Sequence, residues 1–258
     1  MRSIVIYGLF ILFLFADCSV ANVNNLKSSL LSKINVNLPN NITINDLHCI
    51  KSMPVICIAV GSESVNHQDI PLVIKSTDGG NTWYKQVIKS KPSVGVLQHT
   101  SCSWDGSICV ASGNTKSMPF IVQSTNLVTW ELAVLPPVEL IDFITCTGDF
   151  QGPLCVAGSA TTFLSNGDNA RMIQTKDKGI SWEQTEFLLG PVCSLTCAGN
   201  KKTASCIAYF FWFDPIQGTF QYKYISTYNG GDGWSSGNDD ANAPPAVCLQ
   251  GSFGFHTR

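Results

Sequence analysis

The sequence predicts an all-β fold assembled from four complete four-stranded units and part of a fifth, on the strength of three observations. A tryptophan-bearing turn recurs four times, cysteine pairs recur on the same period, and short runs rich in β-branched residues fill the intervals.

The turns are Ser76-Thr-Asp78-Gly-Gly80-Asn-Thr82-Trp83, Ser124-Thr-Asn126-Leu-Val-Thr129-Trp130, Thr175-Lys-Asp177-Lys-Gly179-Ile-Ser181-Trp182 and Thr227-Tyr-Asn229-Gly-Gly231-Asp-Gly-Trp234. Their tryptophans are 47, 52 and 52 residues apart. An aspartate or asparagine side chain accepts hydrogen bonds from backbone N–H groups just ahead of it, and glycine takes the positive φ that a tight hairpin needs. The tryptophan then covers the turn with a large apolar plate and is expected to donate its N–H locally. None of this requires a ligand.

The cysteines keep the same beat. Cys49 and Cys57, Cys102 and Cys109, Cys146 and Cys155, and Cys197 and Cys206 form short-range couples, the second member opening a run such as Cys57-Ile-Ala-Val-Gly61 or Cys109-Val-Ala-Ser-Gly113. Each couple is expected to tie the first strand of a unit to the second as a disulfide. Zinc is the competing use, but zinc knuckles favour two to four intervening residues. Cys193 is left over, and Cys248, 51 residues after Cys197, opens a fifth, partial unit.

A run carrying the first cysteine, a run after the second, a run into the turn (residues 71–76) and a run out of the tryptophan (residues 83–88) make four strands. Four strands in roughly 40–50 residues is the size of one β-propeller blade. The units are expected at about 47–97, 98–143, 144–190 and 191–244, with 245–258 partial. Residues 22–258 form a single domain in this scheme, and residues 34–38, alternating like a strand, would help to close the fifth blade.

The turn pattern Ser/Thr-x-Asp-x-Gly-x-x-Trp resembles the Asp-box, or bacterial neuraminidase repeat. The first and third turns match it throughout. The second is one residue short with Asn126 for the aspartate, and the fourth has Asn229 there. The resemblance covers roughly residues 47–250 and implies a propeller in which the turn joins the third and fourth strands of a blade and is structural. Such families include sialidases, other glycosidases and photosystem assembly factors. A sialidase site resembles a clamp of three arginines on the substrate carboxylate. With only Arg2, Arg171 and Arg258 in the chain, and Arg2 in the leader, that clamp cannot be built.

Residues 1–21 read as a signal peptide: Arg2, an apolar stretch to Phe15, and the small residues Ser19 and Ala21 before the expected mature start at Asn22. That stretch is too short to span a bilayer, and Asp17 before Cys18 argues against lipidation. Export, to the periplasm or the extracellular space, agrees with eleven cysteines. Net charge is −2 without a basic run, so nucleic acid is not an expected partner.

No catalytic, cofactor or metal set is recognisable, and no cofactor is expected. The expected role is a monomeric, non-enzymatic binder of a protein or glycan without stable membrane insertion. The alternative is a secreted carbohydrate-active hydrolase using two carboxylates drawn from Asp46, Glu63, Asp105, Glu139, Asp142, Asp149 and Asp214. His48 and His99 fall on the expected inner strands, where packing is the expected use. The aromatic run at residues 209–213 is expected to be buried between blades, and Asn41-Ile42-Thr43 is a glycosylation sequon.

Overall fold

In the computed structural model, residues 38–50, 52–138, 140–148, 152–159, 172–185, 192–199, 203–214 and 219–238 are described, and they contain no α-helix. The chain divides into two units, Met1–Asn40 and Asn41–Arg258, and every described strand lies in the second. The expectations for the leader, for residues 34–37, Glu139, Asp149, Arg171, Cys248 and the partial fifth unit fall outside the described residues.

Among the described residues seventeen strands build four sheets, each containing an antiparallel hairpin. Sheet 1 runs β1 (Ile42–Ile50), β2 (Ile56–Val65), β3 (Gln68–Ser76) and β4 (Tyr84–Lys85). Sheet 2 contains β5 (Val87–Lys89), β6 (Val96–Cys102), β7 (Cys109–Asn114), β8 (Pro119–Ser124) and β9 (Thr129–Leu132), in the order β5-β9-β8-β7-β6. Sheet 3 comprises β10 (Phe143–Thr147), β11 (Leu154–Gly158), β12 (Met172–Thr175) and β13 (Glu183–Gln184). Sheet 4 comprises β14 (Val192–Ala198), β15 (Ser205–Asp214), β16 (Thr219–Thr227) and β17 (Ser235–Asn238). The first sheet starts at Ile42, five residues ahead of the unit boundary drawn from sequence.

Strand alternation explains how one sheet serves two cores. In β7, Cys109 and Ala111 pack against Ile58, Val60 and Val73 of sheet 1, while Val110, one residue out of phase, packs against Cys155, Ala157 and Ile173 of sheet 3. Sheet 3 repeats the arrangement, sending Leu154 and Val156 to meet Ala208, Phe210 and Ile225 of sheet 4. A sheet buried on both faces reads as a continuous apolar run rather than an alternating one. That is why Cys57-Ile-Ala-Val and Cys155-Val-Ala-Gly carry no polar residue. The inner strands β1, β6, β10 and β14 neighbour one another in chain order.

Among the described residues four disulfides, Cys49–Cys57, Cys102–Cys109, Cys146–Cys155 and Cys197–Cys206, cross the first hairpin of each sheet between directly paired residues, an arrangement consistent with an exported protein.

One part of the path departs from the expected fourth strand at residues 83–88. After β4 the chain leaves sheet 1, and β5 pairs in parallel with β9, setting Val87 beside Thr129 and Ile88 beside Trp130. The next link repeats this: Val134 bridges Ser181 in parallel, its amide donating to the Ile180 carbonyl while Trp182 N–H donates to Val134. Each link thus lies along the outer edge of the following sheet and protects it, as edges must be protected.

A second device shapes the inner strands. β1 bulges between Ile44 and Asp46, β6 between Leu97 and His99, and β14 between Val192 and Ser194, around Cys193. Opposite the first two bulges stand Gly61 and Gly113. A Cβ at Gly61 would lie 1.8 Å from the Thr43 carbonyl oxygen, and one at Gly113 would lie 2.2 Å from that of Val96. Only glycine admits so close a backbone approach.

Candidate functional site

Two regions concentrate polar side chains, the tryptophan turns at one end of the sheets and the bulged inner-strand ends at the other. In the first turn the Ser76 hydroxyl donates to Asp78 Oδ1 at 2.7 Å and accepts from Gly80 N–H at 2.8 Å. Asn81 and Thr82 N–H donate to the same Oδ1 at 3.0 and 2.9 Å, and the Thr82 hydroxyl donates to Oδ2 at 2.6 Å. The third turn repeats the set: Thr175 with Asp177 and Gly179, Ser181 with both carboxylate oxygens. In the fourth, Thr227 donates to Asn229 Oδ1 and accepts from Gly231 N–H, and Gly233 N–H donates to that same Oδ1. The second turn, one residue shorter, closes from Ser124 to Leu127 N–H. Leu127 takes the left-handed conformation (φ 57°), and Asn126 Oδ1 accepts from Thr129 N–H. These turns therefore spend their polar atoms on themselves.

The tryptophans behave differently from one another. Trp130 and Trp182 are buried against the preceding sheet with their Nε1–H groups unpartnered. Trp83, half-buried, donates to the Gly80 carbonyl, whereas Trp234 reaches across to Gln174 Oε1 of sheet 3. Local donation, expected of every turn, holds only for Trp83 because inter-sheet packing decides where each indole points. A further turn of similar chemistry escaped the sequence reading. In Ser103-Trp104-Asp105-Gly106-Ser107, Asp105 Oδ1 accepts from the Ser103 hydroxyl and Ser107 N–H, leaving Trp104 60% exposed.

Hydrogen bonds hold the turn carboxylates in their charged form. The Thr82 hydroxyl and amide, then Ser76, keep Asp78 well below the usual carboxylate range. Partial burial pushes Asp177 upward, but the Ser181 hydroxyl and amide and the Thr175 hydroxyl outweigh it, so its net shift is downward. The Lys85 ammonium, 2.7 Å away, lowers Glu63. Depressed folded-state values add stability that is complete above the ordinary carboxylate pKa, about 4, and drains away as pH falls through the folded values. Thermal midpoints should therefore drop on acidification below about pH 4. The double variant Asp78→Asn/Asp177→Asn should keep its turns, as Asn126 and Asn229 do naturally, and show a shallower decline. An unchanged slope would refute the assignment.

At the other end, the bulges deliver polar residues to neighbouring strands. Asn45 Nδ2–H donates to the Leu97 carbonyl at 2.7 Å. Asp46, 5% exposed, accepts from Leu47 N–H through Oδ1 and from Thr100 N–H of β6 through Oδ2, the latter at 2.9 Å. Gln98 Oε1 accepts from Asn114 Nδ2–H at 2.9 Å. In sheet 3, Asp142 Oδ2 accepts from the Ser159 hydroxyl at 3.3 Å. His99, opposite Ser112, is half-buried beside them on β6, and His48 is half-buried farther along β1 opposite Ile58. Two buried oxygens at this end of β7, Ser112 Oγ and Asn114 Oδ1, have no hydrogen-bond partner in the protein. Such atoms are rare and call for a donor.

Of the other carboxylates considered from sequence, Glu63 is paired with Lys85, Asp105 holds its hairpin turn, and Asp214 closes β15. In the aromatic run, Phe210 is buried and Tyr209 sits against Tyr224 with ring centroids 6.0 Å apart. Among the described residues no group of three or more His, Cys, Asp or Glu side chains is placed to hold a metal ion, and no helix is long and apolar enough to cross a membrane.

No protein-family model matches the chain, and no curated protein matches its sequence. Solved structures do. An ancestral GH74 enzyme is similar with a TM-score of 0.50 at 13% identity, over 76% of this chain and 27% of that one, so this chain spans only a fraction of that enzyme's length. The catalytic domain of a GH62 alpha-L-arabinofuranosidase from Coprinopsis cinerea gives 0.38 at 10% identity, over 76% of this chain and 68% of that one. A glycoside hydrolase gives 0.43 at 8% identity, over 80% of each chain. The likeness to the GH74 enzyme is one of fold: this chain is an all-β protein of stacked four- and five-stranded sheets, propeller-like in kind.

Proposed function

We propose that the chain is an exported carbohydrate-active protein that takes a glycan at the bulged ends of β1 and β6 and the start of β10, and hydrolyses it. The observation that carries this reading is the polar end itself. Asn45, exposed, and Gln98 and Asn114, half-buried, present side-chain amides there, and an amide can both donate to and accept from a sugar hydroxyl. The fold shared with an ancestral GH74 enzyme supports the same substrate class. Hydrolysis of a glycosidic bond needs two carboxyl groups, one to protonate the leaving oxygen and one to act as nucleophile or base. Asp142, which accepts from the Ser159 hydroxyl, and Asp46, which accepts from the Leu47 and Thr100 N–H groups, are the two carboxyl groups we assign. The turns belong to this reading as Asp-box scaffolding of propeller blades, supported by their repeated hydrogen-bond sets.

A second reading, a binder without catalysis, is favoured by one observation: Asp46 already serves as a brace between β1 and β6. A panel of plant, fungal and bacterial polysaccharides separates the two. Hydrolysis predicts release of reducing ends that falls about 10²–10⁴-fold in Asp142→Asn while binding persists. Binding that is abolished by Gln98→Ala, with no release by the wild type, selects the second reading. Neither binding nor release on any glycan overturns both.

A further inference from the structure

We propose that Asn41 is a site of N-linked glycosylation. This goes beyond the carbohydrate-active reading and stands without it, resting only on passage through an oxidising export route, with which the four disulfides agree. Asn41-Ile42-Thr43 is the single Asn-x-Ser/Thr sequence in the 258 residues. The structure shows what a folded protein must show for the modified side chain to be tolerated. Asn41 lies in the turn that enters β1, with its carbonyl accepting from Ser64 N–H, so the extended backbone already runs through it. Side chains two apart on such a segment share a face. Asn41 and Thr43 are accordingly both exposed, while Ile42 between them is buried. The acceptor amide and the hydroxyl that the transferase reads thus stand outside the core, and the intervening residue anchors the strand.

The amide is also loosely held. Its Nδ2 donates to the Ser64 carbonyl at 3.3 Å and to Glu63 Oε1 at 3.4 Å. In the transfer, Nδ2 forms a bond to C1 of an oligosaccharide carried on a lipid diphosphate. The C1–oxygen bond to the diphosphate breaks, the lipid diphosphate leaves with the electron pair, and one Nδ2 proton is released. The remaining N–H can keep one of the two existing hydrogen bonds, so the sheet need not rearrange. The first sugar would stand at the end of sheet 1 opposite the Cys49–Cys57 bridge, the end that carries Asn45.

The full chain, with its own N-terminal segment, expressed in a eukaryotic secretory host tests the assignment. The secreted wild type should run as a heavier species that peptide N-glycosidase converts to the mobility of Asn41→Gln, leaving aspartate at position 41 by mass spectrometry. Thr43→Ala should abolish the modification and Thr43→Ser should restore part of it. Should Asn41→Gln fail to fold, deglycosylation of the wild type and the Thr43 pair decide the matter without it. Wild-type protein carrying an unmodified Asn41, whether secreted or retained, overturns the proposal.

Discussion

Reduction of the four disulfides should unfold the chain at neutral pH and room temperature. Each bridge closes a loop between residues 7 to 9 apart in sequence, and on the chain-entropy model such a loop removes about 2.5 kcal/mol of freedom from the unfolded state. Four of them together are worth about 10 kcal/mol, as much as the whole net stability of a typical domain, 5–15 kcal/mol. The bridges also fill space. Cys102, Cys109 and Cys155 belong to the inter-sheet cores, so their loss leaves gaps between sheets as well as freeing the hairpins. Removing one couple at a time should therefore be graded, with Cys102→Ser/Cys109→Ser more damaging than Cys49→Ser/Cys57→Ser, because Cys102 is buried where Cys49 is only half-buried. Guanidinium titrations followed by far-ultraviolet circular dichroism, with and without reductant, measure this directly. A reduced chain that keeps its strand signal and midpoint would show that the bridges are dispensable.

The disulfide pattern was legible in the sequence for a simple geometric reason. Two cysteines flanking a short hairpin face each other across an antiparallel pair, and spacing alone indicates that. The turns were legible because Asp78, Asp177 and their hydroxyl partners bond within a few residues of themselves. The second turn shows where a motif misleads. It has no glycine, and Leu127 adopts the positive φ instead and drops its side chain into the core between sheets 1 and 2. The bulges carried a signal that was seen but not interpreted, the glycine that ends Cys57-Ile-Ala-Val-Gly61 and Cys109-Val-Ala-Ser-Gly113. Sheet 4 shows why that signal is incomplete, since Phe210 stands opposite its bulge. The polar end was illegible. Asn45 and Gln98 are far apart in sequence, and only the contact of β1 with β6 brings them to one end. The exit of β5 into the next sheet was equally hidden, because residues 83–88 look like one strand until the competing edge of β9 is known.

The four tryptophans share a motif and should nevertheless differ in what their loss does. Trp130 is fully buried between sheets 1 and 2, flanked by Ile88 from the parallel link and by Leu127 from its own turn. Truncation to alanine leaves a cavity bounded by two sheets that cannot close toward each other without distorting their ladders, and large-to-small changes of this kind cost about 3–5 kcal/mol. Trp182 sits in the same relation to Ala133 and sheet 2, and Trp182→Ala should cost a similar amount. Trp83 is half-exposed and covers its turn from outside, so Trp83→Ala forfeits less apolar burial, about 1–2 kcal/mol together with the bond to Gly80. Phenylalanine makes the contrast sharper. Trp130 Nε1–H has no partner to lose, so Trp130→Phe gives up only ring volume and should retain most of the stability that Trp130→Ala removes. Fluorescence gives an independent measure: iodide should quench emission from Trp83 and Trp104 while leaving Trp130 and Trp182 shielded. Equal destabilisation by Trp83→Ala and Trp130→Ala would mean that the turn, rather than the packing between sheets, is what each indole stabilises.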